Sequence, residues 1–165
     1  MSIFQYDCRY GKTLEVGQFY SDDDSLKRGD VVVVKTPRGR ELAQILLGPR
    51  PAKENEKPDT WRILRVATVD DLDRARELRD VREKEALRFC REQIRKLGLN
   101  MKLLDVEYLF GGEKILFYYV APQRVDFREL VRILARQYRT RIEMKQIGVR
   151  DAARLLLDFS HCGLP

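Results

Sequence analysis

The chain has 165 residues, of which 44% are hydrophobic and 9% aromatic, so it can bury the core of one domain or of two small ones and is not globally disordered. Its net charge of +6 and its pI of about 9.3 are typical of proteins that bind nucleic acid. Cys8, Cys90 and Cys162 are too few and too far apart for a disulfide framework, and no apolar run forms a signal peptide or reaches the ~18 residues of a membrane span. We therefore expect a cytoplasmic protein.

Residues 1–50 have the pattern of a β-rich subdomain. Short alternating or β-branched runs, such as Val31–Val34, are separated by turn residues, and Pro37 with Gly39 favours a tight hairpin. Several strands at such close spacing indicate a small barrel or half of a sandwich. The acidic loop at Asp22–Asp24 raises the alternative of a cation site, but it lacks the glycine and the distal glutamate of a calcium loop, and solvated carboxylates also explain it.

A linker and an α+β domain are predicted for the rest of the chain. Residues 51–60 are polar, contain two prolines and show no apolar periodicity, which is typical of a linker. Residues 61–165 are predicted to form the α+β domain. Its elements in chain order are a strand at 61–68, a helix at 70–98, strands at 101–110 and 114–121, a helix at 127–138 and a strand at 141–148. This is the β-α-β-β-α-β order of ferredoxin-like domains.

The helix predicted over 70–98 is the longest element. Its apolar residues recur at helical spacing, Asp70 or Asp71 can cap its start, and Gly98 ends it. At 1.5 Å per residue it is about 42 Å long, which is more than the width of a small domain. Two interpretations are open: the mixed charges on its other faces only solvate it, or part of the helix projects and pairs with another chain.

The residue types give little support to catalysis. His161 is the only histidine and lies near the end of the chain, where preorganised acid–base or nucleophilic catalysis is poorly supported. The sequence has no P-loop, no dinucleotide-binding glycine pattern and no C-x-x-C with metal spacing. We expect that the chain is not an enzyme. Cys162 is a candidate metal ligand in an incomplete site, because metal and cluster centres need about four protein ligands.

Positive charge is concentrated between residues 124 and 150. The apolar stripe of the helix at 127–138 must face the sheet, which places arginines spaced four residues apart on its outer side. Guanidinium groups match phosphate and carboxylate geometry, so RNA phosphate or an acidic protein surface would fit this face; a solvated face without a partner is the other interpretation. The candidate partner-binding or nucleic-acid-binding residues are Arg124, Arg128, Arg132, Arg136, Arg139, Arg141, Lys145 and Arg150.

The aromatic run Phe117–Tyr119 also allows two interpretations. Aromatic side chains on an open sheet face can stack on bases, as they do in RNA-recognition motifs. The glycine–aromatic pattern of those motifs is missing here, so burial in the core is favoured.

Several stretches resemble a known family. Residues 117–121 (FYYVA), 124–134 (RVDFRELVRIL) and 139–151 (RTRIEMKQIGVRD) are similar to the motifs of the C-terminal domain family named after the yeast polymerase-suppressor protein (PSP), which includes YaaT/RicT-like bacterial proteins. Lys145 stands where the family usually has arginine. Residues 36–43 (TPRGRELA) resemble the T-x-R-G-x-E-L-G element of the family, with Ala43 in place of glycine.

The resemblance implies a cytoplasmic adapter in RNA metabolism. Similar proteins act in a complex with two small helical partners, and that complex binds iron–sulfur clusters and assists a membrane-associated endoribonuclease in mRNA processing. Family members usually follow the motif at 139–151 with a glycine pair and C-G-x-x-x-C-C. This sequence has only Cys162-Gly163 there, so the resemblance implies an iron–sulfur cluster for which the chain supplies a single family ligand.

Together with the resemblance, these patterns favour a non-catalytic regulatory or adapter protein of RNA processing, which acts through protein partners, with RNA phosphate as a second candidate partner. The alternative is a direct, sequence-independent nucleic-acid-binding module. The two differ in their response to salt, because a protein that contacts several phosphates loses affinity steeply as salt rises.

Overall fold

Five strands form a closed barrel in the first part of the chain. These strands are β1 (Ile3–Tyr10), β2 (Glu15–Ser21), β3 (Val31–Thr36), β4 (Gly39–Ala52) and β5 (Arg62–Val66). Their order is β1-β2-β5-β3-β4, and only β2 and β5 pair in parallel. The computed structural model describes residues 2–53, 59–148, 150, 152, 153 and 155, and the chain divides into two compact units, residues 1–72 and 73–165.

Aromatic side chains fill much of the barrel interior. Tyr6 and Phe19 are fully buried, and Trp61 meets Phe19 edge to face with ring centroids 5.5 Å apart. A Cβ at Gly17 would lie 3.1 Å from the Trp61 ring, so a larger residue there would displace the indole. The Tyr6 hydroxyl donates to the carbonyl oxygen of Asp23 at 2.6 Å. This bond ties the acidic loop at 22–24 to the barrel wall.

A buried carboxylate holds the turn between β3 and β4. Glu41, only 4% exposed, accepts hydrogen bonds from the Thr36 hydroxyl at 2.5 Å and from the Arg38 guanidinium at 2.5 and 3.1 Å. The Arg38 guanidinium also lies 5.9 Å from the centre of the Tyr10 ring. These are the threonine, arginine and glutamate of the T-x-R-G-x-E-L pattern in the sequence. The pattern therefore has a structural role in the barrel.

The predicted α+β class with an N-terminal barrel-like subdomain is confirmed. The assignment of the strand at 61–68 to a ferredoxin-like sheet is wrong: β5 pairs with β3 in the barrel, and Ile63 joins the barrel core. Alternation along a strand shows which side chains face inward and does not show which strand it pairs with. Of the predicted linker, Pro51 and Ala52 belong to β4, and residues 54–58 lie outside the described residues.

A helical stretch runs from residue 69 to residue 97 through α1 (Val69–Glu77), a π-helical turn (Leu78–Arg82) and α2 (Glu83–Leu97). Thr68 caps its start: the Asp71 N–H donates to the Thr68 hydroxyl at 3.1 Å, and the Thr68 N–H donates to the Asp71 carboxylate at 2.8 Å. Asp71 is thus the partner of the cap and not the cap itself. Gly98 ends the helix in a left-handed conformation, as predicted.

The second unit is built on a three-stranded sheet. Its elements are β6 (Lys102–Tyr108), β7 (Lys114–Val120), α3 (Arg128–Tyr138) and β8 (Arg141–Gln146), and the sheet order is β6-β7-β8. β6 and β7 form the predicted hairpin, with Gly112 at a φ of 80° in the turn. α3 is the crossover between β7 and β8, which pair in parallel. Across the described residues, no helix has the length and apolar character that a membrane span needs.

Both faces of this sheet are covered. Phe117 and Tyr119 pack with residues of α2 and α3 on one face, whereas Tyr118 packs with Ile147 and Leu155 on the other. All of the residues from Phe117 to Tyr119 are buried. The interpretation of these aromatics as core is confirmed, and they are not a platform for base stacking.

Removal of the Glu41 carboxylate is expected to destabilise the barrel. Glu41→Ala removes the carboxylate that accepts from the largely buried Arg38 guanidinium and from the Thr36 hydroxyl, and we expect a loss of about 3 kcal/mol in the free energy of unfolding. Urea denaturation followed by the fluorescence of Trp61 measures this loss. Asp22→Ala, at an exposed carboxylate of the same unit, is the control and should change the stability little. Equal stability of the two variants would contradict a structural role for Glu41.

Candidate partner-binding surface on helix α3

Helix α3 separates apolar and basic residues on opposite sides. Leu130 and Leu134 are fully buried against the sheet. Arg128, Arg132 and Arg136 recur every four residues on the exposed side, and we call them the arginine row. The row points outward because burial of the leucines fixes the rotation of the helix.

Two of the predicted basic residues, Arg141 and Lys145, belong to strand β8 and lie on the face of the sheet opposite helix α3. Ile142 and Met144 pack into the core under α3, so the intervening side chains of this strand point to the opposite face. Lys145 accordingly lies beside Tyr118, with its ammonium nitrogen 6.0 Å from the ring centre. Arg141 has the same parity as Lys145. The structure therefore does not bring these two residues together with the arginine row.

All of the predicted basic residues from Arg124 to Arg150 are exposed, including those away from the row. Arg150 is described only as an exposed helical residue. Between residues 124 and 145 the sequence has seven cations and three carboxylates, so the surface around α3 is positive in balance. Exposure and net charge are the properties that binding of an anionic partner requires.

Two members of the arginine row are paired with carboxylates of their own segment. Arg128 forms a bidentate pair with Asp126 at 2.8 and 3.0 Å, and Arg132 contacts Glu129 at 3.1 Å. Their side chains remain 82% and 69% exposed, respectively. Exposed ion pairs contribute little to stability and open readily in water. These pairs orient the guanidinium groups without burying them.

The Arg128 guanidinium, together with its backbone N–H, holds the pKa of Asp126 at about 2. The folded-state pKa is therefore below its ordinary value, and the carboxylate is ionised throughout the neutral range. An incoming anion must compete with Asp126 for Arg128. Arg136 and Arg139, in contrast, form no ion pair with any residue that the structure describes.

Arg139 occupies a backbone conformation that usually favours glycine. It follows the last turn of α3 with φ 52° and ψ 40°, and its N–H donates to the carbonyl oxygen of Ala135 at 2.8 Å. Most helices that end in this way have glycine at this position, because a Cβ is unfavourable there. An exposed arginine at a strained position motivates the hypothesis that its side chain has a use outside the fold.

A groove of about 1030 Å³ opens at the start of α3. It lies at the carboxyl ends of the parallel strands β7 and β8, where ligands commonly bind in α/β units. Arg124 and Arg128 line it, together with the amides of Gln123 and Gln146. We call it the α3 groove. The two arginines were predicted from the sequence as binding residues, and the two glutamines were not. A polar loop between a buried strand and a helix was a signal that could have identified Gln123.

Candidate ligands for a metal or an iron–sulfur cluster are not gathered at one place in the part of the chain that the structure describes. The described residues contain no group of three or more side chains that could hold a metal ion. Cys8 and Cys90 are buried in the cores of the two units, and burial raises the pKa of each thiol to about 12, so neither is a thiolate at neutral pH. Cys162 and His161 lie outside the described residues, and ligation by Cys162 stays a prediction.

Comparison with known proteins gives this arrangement a family. The model of the family described as "PSP1 C-terminal conserved region" matches residues 61–147, which is more than half of the chain. The chain belongs to this family. The match begins just before β5 and ends just after β8, and so it includes α3 and the arginine row.

Relatives of the family are known from bacteria and yeasts. The chain is 37% identical over 159 residues to the stage 0 sporulation protein YaaT of Bacillus subtilis, across 94% of this chain and 56% of YaaT. It is 37% identical over 156 residues to a Schizosaccharomyces pombe protein (76% of this chain, 21% of that protein) and 48% identical over 47 residues to PSP1 of Saccharomyces cerevisiae (28% and 6%). The chain thus spans little more than half of YaaT and less of the yeast proteins. No solved structure matches it.

Neutralisation of Asp126 is expected to strengthen polyanion binding. Asp126→Asn removes the carboxylate that competes for Arg128, so the variant should elute from heparin at higher salt than the unchanged protein. Asp70→Asn, which removes one exposed carboxylate from α1, is the control for net charge. If both variants shift equally, overall charge and not release of Arg128 accounts for the effect.

Replacement of Arg139 by glycine is expected to raise stability and lower binding. Glycine relieves the left-handed backbone strain, so Arg139→Gly should stabilise the fold by about 0.5–1 kcal/mol in urea denaturation. The same variant should elute earlier from heparin, because it has lost an exposed cation. Arg139→Gln separates the two effects: it should also elute earlier but without the gain in stability. A glycine variant that binds heparin as strongly as the unchanged protein would rule out the proposed use of this side chain.

Proposed function

We propose that the chain is a non-catalytic regulatory adapter of RNA processing, and that an acidic surface of a protein partner binds to α3. The observation that carries this proposal is the arginine row, which is exposed on the side of α3 opposite the buried leucines. Two of its guanidinium groups are oriented by exposed carboxylates that a partner can displace. Exchange of one carboxylate for another keeps each guanidinium paired throughout association.

Family membership supports a regulatory role. YaaT is by its name a stage 0 sporulation protein, and it aligns with 94% of this chain. The motifs shared with YaaT-like proteins include the arginine row, and the resemblance proposes small helical proteins and a ribonuclease complex as partners. Since the chain spans about half of YaaT, the activity and partners of the longer protein are part of the proposal.

Direct binding of nucleic acid is the second candidate function. The favouring observation is the positive balance of charge around α3, together with the α3 groove that opens beside Arg124 and Arg128. Phosphate contacts from arginine need no sequence recognition, and buried Phe117–Tyr119 offer no base stacking. This module would bind RNA without regard to sequence.

Charge reversal in the arginine row tests the surface. Arg132→Glu combined with Arg136→Glu should weaken partner binding at least about tenfold, because like charges then face each other across the interface. The measurement is quantitative mass spectrometry of ribonuclease components that co-purify with the tagged protein from a native extract. Arg141→Glu combined with Lys145→Glu makes the same change in charge on the opposite face of the sheet and should keep the partners. Circular dichroism confirms that both variants are folded.

Retention of the same partners by the folded arginine-row variant would refute the assignment of this surface. RNA binding is measured separately with a single-stranded oligonucleotide over a range of salt. An adapter should bind it weakly, whereas a direct binder should show a logarithmic affinity that falls linearly with the logarithm of salt. For a direct binder, the arginine-row variant should reduce that slope by about one for each phosphate that its side chains can no longer bind.

A further inference from the structure

A second concavity, of about 510 Å³, lies within the second unit. The π-helical turn, the β6–β7 hairpin and the end of α3 form its walls, and it shares no residue with the α3 groove. We call it the hairpin pocket. Its volume is in the range of pockets that bind small molecules. Nothing in the proposed adapter role uses it.

The lining of the hairpin pocket is positive in balance, because it contains three cationic residues and one carboxylate residue, Glu77. Arg74 and Arg82 are two of the cations, and both are exposed residues. The Arg74 guanidinium lies over the ring of Phe110, 5.0 Å from its centre, which fixes its position at the hairpin. Neither arginine forms an ion pair with a residue that the structure describes. Lys114, the third cation of the lining, is already paired with Glu143 at 3.0 Å.

Aromatic rings form another part of the wall. Tyr108 and Tyr138 line the hairpin pocket, are half-buried, and meet edge to face with centroids 6.4 Å apart. Tyr138 is also held against Phe89, at 5.9 Å, so the rings have a fixed position. Burial raises the pKa of the Tyr138 hydroxyl to about 12, and the group remains a hydrogen-bond donor at neutral pH. The amide of Gln137 and the hydroxyl of Thr140 add polar groups nearby.

The helix that borders the pocket has an irregular turn at this place. Residues 78–82 are π-helical, and neither this turn nor α1 has a buried residue. Core packing within the turn therefore does not account for the insertion. π-helical turns are rare and often occur at functional sites, where the extra residue redirects side chains. Leu78 and Arg82, at the two ends of this turn, both line the hairpin pocket.

The chemistry of the pocket selects its ligand. A purely apolar ligand would desolvate the arginines without compensation, and a simple anion would make no use of the tyrosines. A phosphate joined to a flat heterocycle satisfies both parts, since guanidinium groups pair with phosphate and tyrosine rings pack against bases. We propose that the hairpin pocket binds a nucleotide, with its phosphate at Arg74 and Arg82 and its base against Tyr108 and Tyr138. The nucleotide is either free or the phosphorylated end of an RNA strand.

Isothermal titration of the full chain with AMP tests this site. AMP should bind, and adenosine and inorganic phosphate should each bind at least about tenfold more weakly because each satisfies only part of the pocket. Arg74→Gln combined with Arg82→Gln should lower AMP affinity by a similar factor. Arg88→Gln combined with Arg95→Gln, at exposed positions of α2 outside the pocket, should leave it unchanged. Each substituted site is on the surface, and circular dichroism verifies that both variants are folded.

Failure of AMP, GMP, CMP and UMP all to bind at low salt would overturn the site. So would equal binding of AMP and inorganic phosphate, or unchanged AMP affinity in the Arg74→Gln, Arg82→Gln variant. A short RNA with a 5′-phosphate distinguishes the source of the nucleotide. If it displaces AMP and its 5′-hydroxyl counterpart does not, the pocket binds RNA ends; if neither displaces AMP, it binds free nucleotides. The arginine row is intact in these variants, so the adapter proposal stands or falls separately.

Discussion

Burial of one side of α3 against the sheet determines where the arginine row and the α3 groove lie. Leu130 and Leu134 fill the core over β7, and this contact sets the rotation of the helix. The rotation places the arginines, which recur at every fourth residue, in water. The parallel β7–β8 crossover places the start of the helix at the carboxyl ends of two strands. The α3 groove and the arginine row are both consequences of this one packing arrangement. A helix rotated by a quarter turn would bury guanidinium groups, and their desolvation would strongly destabilise the fold.

Charges that are close in the sequence are not always close in space. The segment from Arg124 to Arg150 reads as one basic stretch, yet it passes from a loop to a helix and then to a strand with a different period. Helical period keeps Arg128, Arg132 and Arg136 on one side, whereas the period of two in β8 turns Arg141 and Lys145 to the other face. A basic stretch of sequence therefore predicts a basic surface only when the face on which each residue lies is known.

Local patterns predicted most of the elements, and long-range pairings were the part that sequence could not supply. The hairpin at Gly111–Gly112, the end of the long helix at Gly98 and the buried run at 117–119 depend on neighbours in the chain. The membership of β5 in the barrel depends on pairing with β3, some thirty residues away, and no periodicity encodes it. The sequence also does not predict the π-helical turn, because the apolar pattern of the helix does not reveal it. Nor does it predict the Asp126–Arg128 pair, because an exposed side chain can pair with any of several partners.

The local ion pairs of α3 explain why so much like charge is tolerated on one helix. Arginines spaced four apart repel one another, and Asp126 and Glu129 interrupt that repulsion where the row begins. Toward the end of the helix the carboxylates stop, and Arg136 and Arg139 are favoured there by the negative end of the helix dipole. The carboxylates therefore reduce the repulsion between the arginines enough for the helix to fold. Because both ion pairs are exposed to water, they are weak, and a partner can replace the carboxylates. A buried pair such as Arg38–Glu41 has the opposite character: it is fixed, it stabilises the barrel, and it is not available to a partner.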